Sequence, residues 1–385
     1  MSAGSEHEQE DACAACLRRS WLLSELSALL DYNRGRVGRL RELLALPDEQ
    51  LIDALAGSRR QSLHAAYRRY EPDAASASAG ARTLCRHRAL YPQALKDELP
   101  SAALYLGGEM SQLSRLLNEP LVAILGSEKP SDYGMRMASR LARGLAACGI
   151  TVISRLRPGI ANAAHRGALQ LQAGTLAIAS SGLGQACSGS LAPVCEAVMN
   201  AGCALTELPP AAGGHGWGSV AGERVLLGLA SLVVLVEAEQ SCRDLSTARR
   251  AIELGRPVVA VPGSVDSPLA QGPLELLIAG ARLIRGPHDI LELLYKGDTA
   301  AAESSLPPLG AGLPERLRQV LELVRGGRDT PEMILGHCAS PGEALAALSE
   351  LEIAGVVVRG PGGRYLPGED PSWAPRVSYP TPTSQ

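Results

Sequence analysis

Phenylalanine is absent from the 385 residues, and aromatic residues make up only 3%. A platform of stacked rings, which grips unpaired bases by their faces, is therefore not expected. No apolar run reaches the roughly 18 residues that a membrane-spanning helix needs, and Met1–Asp11 has no charged-then-apolar leader. Neither secretion nor a membrane partner is expected. Charge of one sign is also lacking: 37 Lys and Arg face 40 Asp and Glu, a net charge of −3. No global basic field points to nucleic acid, so any such contact must come from local patches. No Gly-x-Gly-x-x-Gly follows a strand-like run and no Gly-x-x-x-x-Gly-Lys-Ser/Thr occurs, which removes the main support for dinucleotide and P-loop readings. What is present is 46% hydrophobic residues, enough for two or three domain cores, and nine cysteines. In a chain without a leader, that cysteine usage points to a reduced, cytoplasmic protein.

The chain is organised around Leu121-Val-Ala-Ile-Leu125-Gly126-Ser127, an apolar run that stops at Gly-Ser and restarts as a helical run ending at Gly149. A parallel sheet sets a phosphate-sized pocket at the C-terminal end of a strand in this way. Strand-like runs at Val122–Leu125, Thr151–Ile153, Thr175–Ile178, Ala204–Thr206, Leu232–Val236, Pro257–Val261 and Arg282–Ile284 alternate with helical ones near 132–147, 161–172, 190–201, 222–229, 246–254, 273–279 and 287–294. Alternation of this kind requires crossover connections. The fold class is therefore α/β, a doubly wound Rossmann-like parallel sheet. Gly126-Ser127, Ser154, the loop at Gly182 and Glu237 are expected to converge on one crevice outside the carboxyl ends of the strands.

Residues 1–72 read as a small all-helical module. Periodic leucines run from Leu17 to Tyr32, a second run from Val37 stops at Pro47, and Asp48 is placed to cap Glu49–Ala56. Arg59, Arg60, Arg68 and Arg69 read as a solvated helix face, with an acidic partner as the alternative. The Ala/Ser/Gly stretch 74–81 links this module to the α/β domain, 82–297. After a second linker, 313–367 holds three helical runs, the last opened by Ser340-Pro-Gly-Glu343 as a capping box, and then a hairpin turning through Gly360–Gly363. That pattern is a winged helix. Its third helix, Glu343–Ile353, carries Glu343, Glu350 and Glu352 and neither Lys nor Arg, which favours a protein contact over groove docking. The tail, 368–385, is expected to be disordered.

Single motifs here are weak, but their order is informative. Gly126-Ser127, Ser131 and Tyr133-Gly134 are followed by Ser154, Gly159-Ile160, Ala164-His165 and Gly167-Ala168-Leu169. Then come Gly174-Thr175, Val236-Glu237-Ala238, Thr247-Ala248-Arg249, Gly255-Arg256-Pro257, Val261-Pro262-Gly263 and Gly280-Ala281. As an ordered set over about 83–294 this resembles the DNA-processing protein A (DprA/Smf) family. The resemblance implies a non-catalytic, cofactor-free protein that binds single-stranded DNA and delivers it to a RecA-type recombinase in natural transformation or recombination, acting as a homodimer. The DNA-binding residues it implies, with the basic residues on the same crevice loops, are Gly126, Ser127, Lys129, Ser131, Arg155, Arg157, Gly159, His165, Arg166, Arg224, Arg243 and Thr247. In that reading the Gly126-Ser127 amides and helix N-termini hold phosphates, and Arg155, Arg157, Arg224 and Arg243 add charge-assisted bonds.

The chain also departs from the family pattern. Glu128 replaces an arginine, Pro158 another, Ala161 an aspartate, and Gly222-Glu223-Arg224 replaces Arg-Asn-Arg; the loop Ser241–Ala248 is one residue longer. Lys129, Arg155, Arg157 and Arg243 are the compensating cations, which requires Glu128 to turn away from the phosphates and Lys129 to turn in. A nucleotide phosphoribohydrolase with a similar sheet is the enzymatic alternative, but the Pro-Gly-Gly-x-Gly-Thr-x-x-Glu of those enzymes is missing. A diverged paralogue keeping only protein contacts is the third reading.

Cys13-x-x-Cys16 with Cys85-x-His87 has the ligand types and number of a structural zinc site, yet the two halves lie across a linker. Free thiols are the expected state and no metal is assigned, with redox pairing as a further alternative. Cys148, Cys187, Cys195, Cys203, Cys242 and Cys338 are expected to be buried or idle thiols.

Overall fold

The computed structural model describes residues 11–32, 37–72, 82–96, 103–171, 173–214, 216–295, 314–325, 328–338, 340–353, 356–359 and 363–367. The linkers expected at 74–81 and 297–312 and the tail at 368–385 lie outside the described residues. The chain divides into two units, Met1–Glu303 and Ser304–Gln385. Among the described residues no helix is long and apolar enough to cross a membrane.

The first unit opens with five helices, α1 (Ala14–Glu25), α2 (Ser27–Tyr32), α3 (Val37–Ala45), α4 (Asp48–Leu55) and α5 (Arg60–Arg69). The periodic leucines do meet as expected, with Leu22, Leu26, Leu30, Leu44, Leu51 and Ile52 at most 1% exposed. Asp48 is not the cap of α4: Pro47 occupies that position, and the Asp48 carboxylate pairs with Arg19 and accepts from the Tyr67 hydroxyl at 2.5 Å. The leucine core is completed from another part of the chain, by Leu208, Trp217 and Ala221. The break between α1 and α2 at Leu26 leaves the Ser27 hydroxyl to accept from the Trp217 N–H at 2.9 Å.

The sheet strands are β1 (Arg82–Leu84), β2 (Leu104–Gly108), β3 (Leu121–Leu125), β4 (Thr151–Arg155), β5 (Thr175–Ile178), β6 (Cys203–Thr206), β7 (Leu232–Leu235), β8 (Val258–Ala260) and β9 (Arg282–Leu283). Among the described residues they form one sheet in the order β1-β2-β6-β5-β4-β3-β7-β8-β9. From β2 to β6 and at β1 the pairing is antiparallel, and elsewhere it is parallel. The following helices are α6 (Met110–Leu117), α7 (Asp132–Ala147), α8 (Ile160–Leu169), α9 (Ala192–Ala201), α10 (Trp217–Leu229), α11 (Arg243–Glu253), α12 (Gln271–Ile278) and α13 (Pro287–Leu294).

β3 shows why both faces are covered. All five of its side chains are buried, and alternate residues point to opposite faces. Leu121, Ala123 and Leu125 join a core with Val225 and Leu226 of α10, Leu245 and Ala248 of α11 and Leu276 of α12. Val122 and Ile124 join the other core, with Leu141 and Leu145 of α7, Ala164 and Ala168 of α8 and Ile290 of α13. Order along the sheet matters for function. The chain leaves β3 toward β4, β5 and β6, then returns to β7 on the other side of β3, so the carboxyl ends of β3 and β7 border a switch point.

In the second unit α14 (Glu315–Arg325), α15 (Pro331–Leu335) and α16 (Pro341–Ile353) precede β10 (Val357–Arg359) and β11 (Tyr365–Pro367), which pair antiparallel. Leu317, Leu321, Ile334, Leu348, Leu351, Val357 and Tyr365 form its core. The Ser340 hydroxyl accepts from the Glu343 N–H, as the capping motif requires. Glu350 and Glu352 on α16 are bonded by Arg316 and Arg359.

Trp217 is 1% exposed and joins the leucine helices to α10. Trp217→Ala should cost about 3–5 kcal/mol of unfolding free energy; an unchanged denaturation midpoint would remove this contact from the architecture.

Candidate nucleic-acid interface

A cleft of about 260 Å³ lies at the switch point, lined by Gly126, Ser127, Glu128 and Lys129 after β3, Arg157 after β4, and Glu239, Cys242, Arg243 and Asp244 after β7. Five of the sequence-derived residues, Gly126, Ser127, Lys129, Arg157 and Arg243, therefore meet there. Lys129 and Arg243 are exposed and Arg157 is half-buried. Three cations face three carboxylates, so the cleft has no strong field of one sign. Glu128 does not turn away. Its carboxylate lines the cleft beside Lys129 and accepts from Arg157 at 2.5 Å, a pairing that holds Arg157 in place.

Glycine is required where the loops converge. A Cβ on Gly126 would stand 2.7 Å from the Glu237 carbonyl oxygen, and Gly159, with φ +75°, packs on the Ser127–Glu128 backbone. Gly159 thus positions the loop, and the Ile160 N–H donates to the Ser127 carbonyl at 3.1 Å.

The amides expected to meet phosphate are taken by the protein itself. The Gly126 N–H donates to Asp244 Oδ2 at 3.1 Å and the Ser127 N–H to the Glu237 carbonyl at 2.7 Å. At the start of α7 the Glu237 carboxylate accepts from the Ser131 N–H at 2.9 Å and the Ser131 hydroxyl at 2.6 Å, while Ser131 Oγ accepts from the Gly134 N–H. A carboxylate at a helix N-terminus satisfies the same donors and dipole that an anion would. Ser131, with Tyr133, Glu237, Pro262 and Gly263, lines a second cavity of about 470 Å³.

Arg155 is not a crevice-loop residue. β4 runs on to Arg155, two residues past the expected end, so its side chain shares the face of Ile153 and lies beneath α10 and α11. It is 1% exposed. Nε stands 3.2 Å from Asp244 Oδ1, and Nη2 donates to Thr247 Oγ1 at 2.9 Å, which in turn donates to Glu223 at 2.9 Å. Burial lowers the Arg155 pKa, and Asp244 and Glu223 oppose that shift. Thr247 is fully buried in the same network.

His165 is likewise interior, at 0% exposure: its Nε2 lies 3.2 Å from the Arg155 carbonyl oxygen and its Nδ1 3.0 Å from Thr175 Oγ1. Burial pulls its pKa down to about 4. Arg224 pairs with Glu207 under cover and lies 5.9 Å from the Trp217 ring centroid, so it supports α10 rather than the cleft. Arg166 is exposed on α8 but does not line the cleft. Ser154 bonds the Ile124 carbonyl inside the sheet, and Gly182 packs against Pro209 and Pro210. Asp244, which lines the cleft and bonds Gly126, was missed from the sequence; an acid in the first turn of a helix is its local signal.

One cysteine expectation changes. A disulfide joins Cys187 and Cys195, with a Cα–Cα distance of 5.4 Å, where α9 folds back over residues 183–187. Cys13, Cys16, Cys85 and His87 converge as one group of possible metal ligands.

A mostly parallel sheet with a polar cleft at its switch point defines a Rossmann-like α/β protein. The family model of DNA recombination-mediator protein A matches residues 82–295, and the chain belongs to that family. It is 32% identical to Protein Smf of Escherichia coli over 71% of this chain and 73% of that protein. A solved DNA processing protein A from Streptococcus pneumoniae superposes with a TM-score of 0.56 at 25% identity, covering 72% of this chain and 95% of that one. The corresponding protein from Helicobacter pylori, whose structure concerns its single-stranded DNA binding mode, superposes with a TM-score of 0.50 at 25% identity over 56% of this chain and 96% of that one.

The folded-state pKa of His165 lies below its ordinary 6.5, so the unfolded chain binds the extra proton between about 6.5 and about 4. Its contribution is complete above about pH 6.5 and falls as pH drops toward 4, by up to about 1.4 kcal/mol per pH unit. Denaturation of the wild type and His165→Gln across this range should show that extra slope in the wild type alone; parallel profiles would contradict the buried neutral ring.

Proposed function

We propose that the protein binds single-stranded DNA along the switch-point cleft and passes it to a RecA-type recombinase, as a homodimer and without catalysing a reaction on the strand. The carrying observation is the convergence of Lys129, Arg157 and Arg243 on one cleft in a chain of this family. The Helicobacter pylori relative supports a single strand as ligand, and the family's description as a recombination mediator supports the recombinase. Side-chain cations, rather than the Gly126-Ser127 amides, make the phosphate contacts in this reading. Charge-assisted bonds from guanidinium and ammonium groups are strong and tolerate any sequence.

The balanced cleft has a consequence for affinity. Glu128 competes with phosphate for Arg157, and a contact to Arg157 must release that carboxylate. Binding should therefore be weak, with a modest log–log salt slope of about −2 from the three cations.

Fluorescence anisotropy with labelled oligonucleotides at several salt concentrations tests this. Lys129→Ala, Arg157→Ala and Arg243→Ala should each weaken binding and reduce the log–log salt slope by about 0.7. Glu128→Gln should tighten it by up to about fivefold, the worth of one exposed ion pair. Absence of binding at low salt would sink the proposal, and base release from nucleoside monophosphates would replace it with the hydrolase reading.

A further inference from the structure

We propose that Cys13, Cys16, Cys85 and His87 form a structural zinc site that clasps the start of α1 to the edge strand β1. Cys13 precedes α1 and Cys16 lies in its first turn, while Cys85 and His87 follow β1 directly. The four donor atoms all lie within 4.8 Å of one another. His87 Nδ1 is 3.5 Å from Cys13 Sγ, 3.4 Å from Cys16 Sγ and 3.8 Å from Cys85 Sγ, and Cys13 Sγ is 3.9 Å from Cys85 Sγ.

Those separations fit a tetrahedron around one ion. Zn–S bonds of about 2.3 Å and a Zn–N bond of about 2.0 to 2.1 Å give S···S edges of about 3.8 Å and S···N edges of about 3.5 Å. They do not fit a Cys13–Cys85 disulfide, whose sulfurs stand about 2.0 Å apart. Three thiolates and one imidazole favour zinc over magnesium or calcium, which take oxygen ligands. Four protein ligands leave no open position, so the site holds structure rather than performing chemistry.

The surroundings are already arranged for such a site. The Cys13 N–H points to Cys85 Sγ at 3.4 Å, a bond that stabilises a metal-bound thiolate. Asp11 accepts from both the N–H and the hydroxyl of Thr83, and the Ala12 N–H donates to Thr83 Oγ1 at 3.1 Å. Cys85 is fully buried and Cys16 is 7% exposed, whereas His87 is exposed and closes the outer side.

A clasp is needed here on physical grounds. β1 has three residues and, among the described residues, pairs on one side only, with β2; Leu84 reaches the main sheet core, but the face toward α1 rests on a small cluster of Ala12, Cys16, Leu17, Cys85, Ala103 and Tyr105. A short edge strand gains little from its own hydrogen bonds. One ion joins positions 72 residues apart in sequence, Cys13 and Cys85, and restricts the unfolded chain accordingly.

The test is elemental analysis of the full-length protein purified without chelator, with cobalt(II) substitution as the second readout. One zinc per chain is expected, and the cobalt form should show the intense visible bands and near-ultraviolet thiolate charge transfer of a tetrahedral sulfur-rich site. Cys16→Ser and Cys85→Ser should lose the metal, His87→Cys should retain it, and Cys148→Ser should leave it unchanged. Removing zinc with a strong chelator should lower the melting temperature of the wild type. Wild-type protein that neither carries nor takes up zinc, or whose cobalt spectrum is octahedral and free of thiolate charge transfer, would overturn the proposal. So would a Cys13–Cys16 disulfide in protein purified under reducing conditions.

Discussion

The switch-point end of the sheet depends on one carboxylate, Asp244. One of its oxygens accepts from the Gly126 N–H and the other faces Arg155 Nε, so a single side chain from α11 ties the loop after β3 to the end of β4. The guanidinium it faces is almost wholly buried and continues through Thr247 to Glu223. Loss of one partner in a buried pair leaves an uncompensated charge, which costs about 3–5 kcal/mol. The cleft walls are therefore fixed by an internal ion network, and the glycines at 126 and 159 are what allow the loops to come close enough to share it.

The same network changes how an anion can be held. In a strand–Gly–helix turn, amides and the helix dipole usually supply the anion site. Here Asp244 and Glu237 already satisfy those donors. In the proposed binding mode a phosphate meets the outer ring of Lys129, Arg157 and Arg243, of which Arg157 is engaged by Glu128 and Arg243 by the Ser219 hydroxyl. A chain of the DNA recombination-mediator family thus presents a cleft of balanced charge, in which the Glu128 carboxylate must give way before Arg157 can meet an anion.

The sheet was legible in the sequence because burial on both faces leaves continuous apolar runs, as at Leu121–Leu125 and Leu232–Leu235. The edge strand β1 was not, since three residues carry no periodicity. Arg155 shows how a small boundary error changes a residue's role: ending β4 at Ile153 places the arginine on a loop, while ending it at Arg155 places the side chain under two helices. Arg224 and His165 were misplaced for a related reason, because a charged or polar residue in a motif reads the same whether it faces a ligand or a buried partner such as Glu207 or the Arg155 carbonyl. The long-range packing of Trp217 on the leucine helices has no local signature, whereas the Cys13–Cys16 and Cys85–His87 pairs were legible as ligand types but not as neighbours, because a linker separates them. The switch-point position of Gly126, Ser127, Lys129, Arg157 and Arg243 was legible, since it follows from strand order and loop position alone.

The proposed phosphate contacts are tested most directly by a structure of the protein with a short single-stranded oligonucleotide. Phosphate oxygens about 2.7–2.9 Å from the side-chain nitrogens of Lys129, Arg157 or Arg243 are the expected result, with Asp244 still bonded to the Gly126 amide. A phosphate seated on the Gly126 amide, with Asp244 displaced from it, would contradict this assignment.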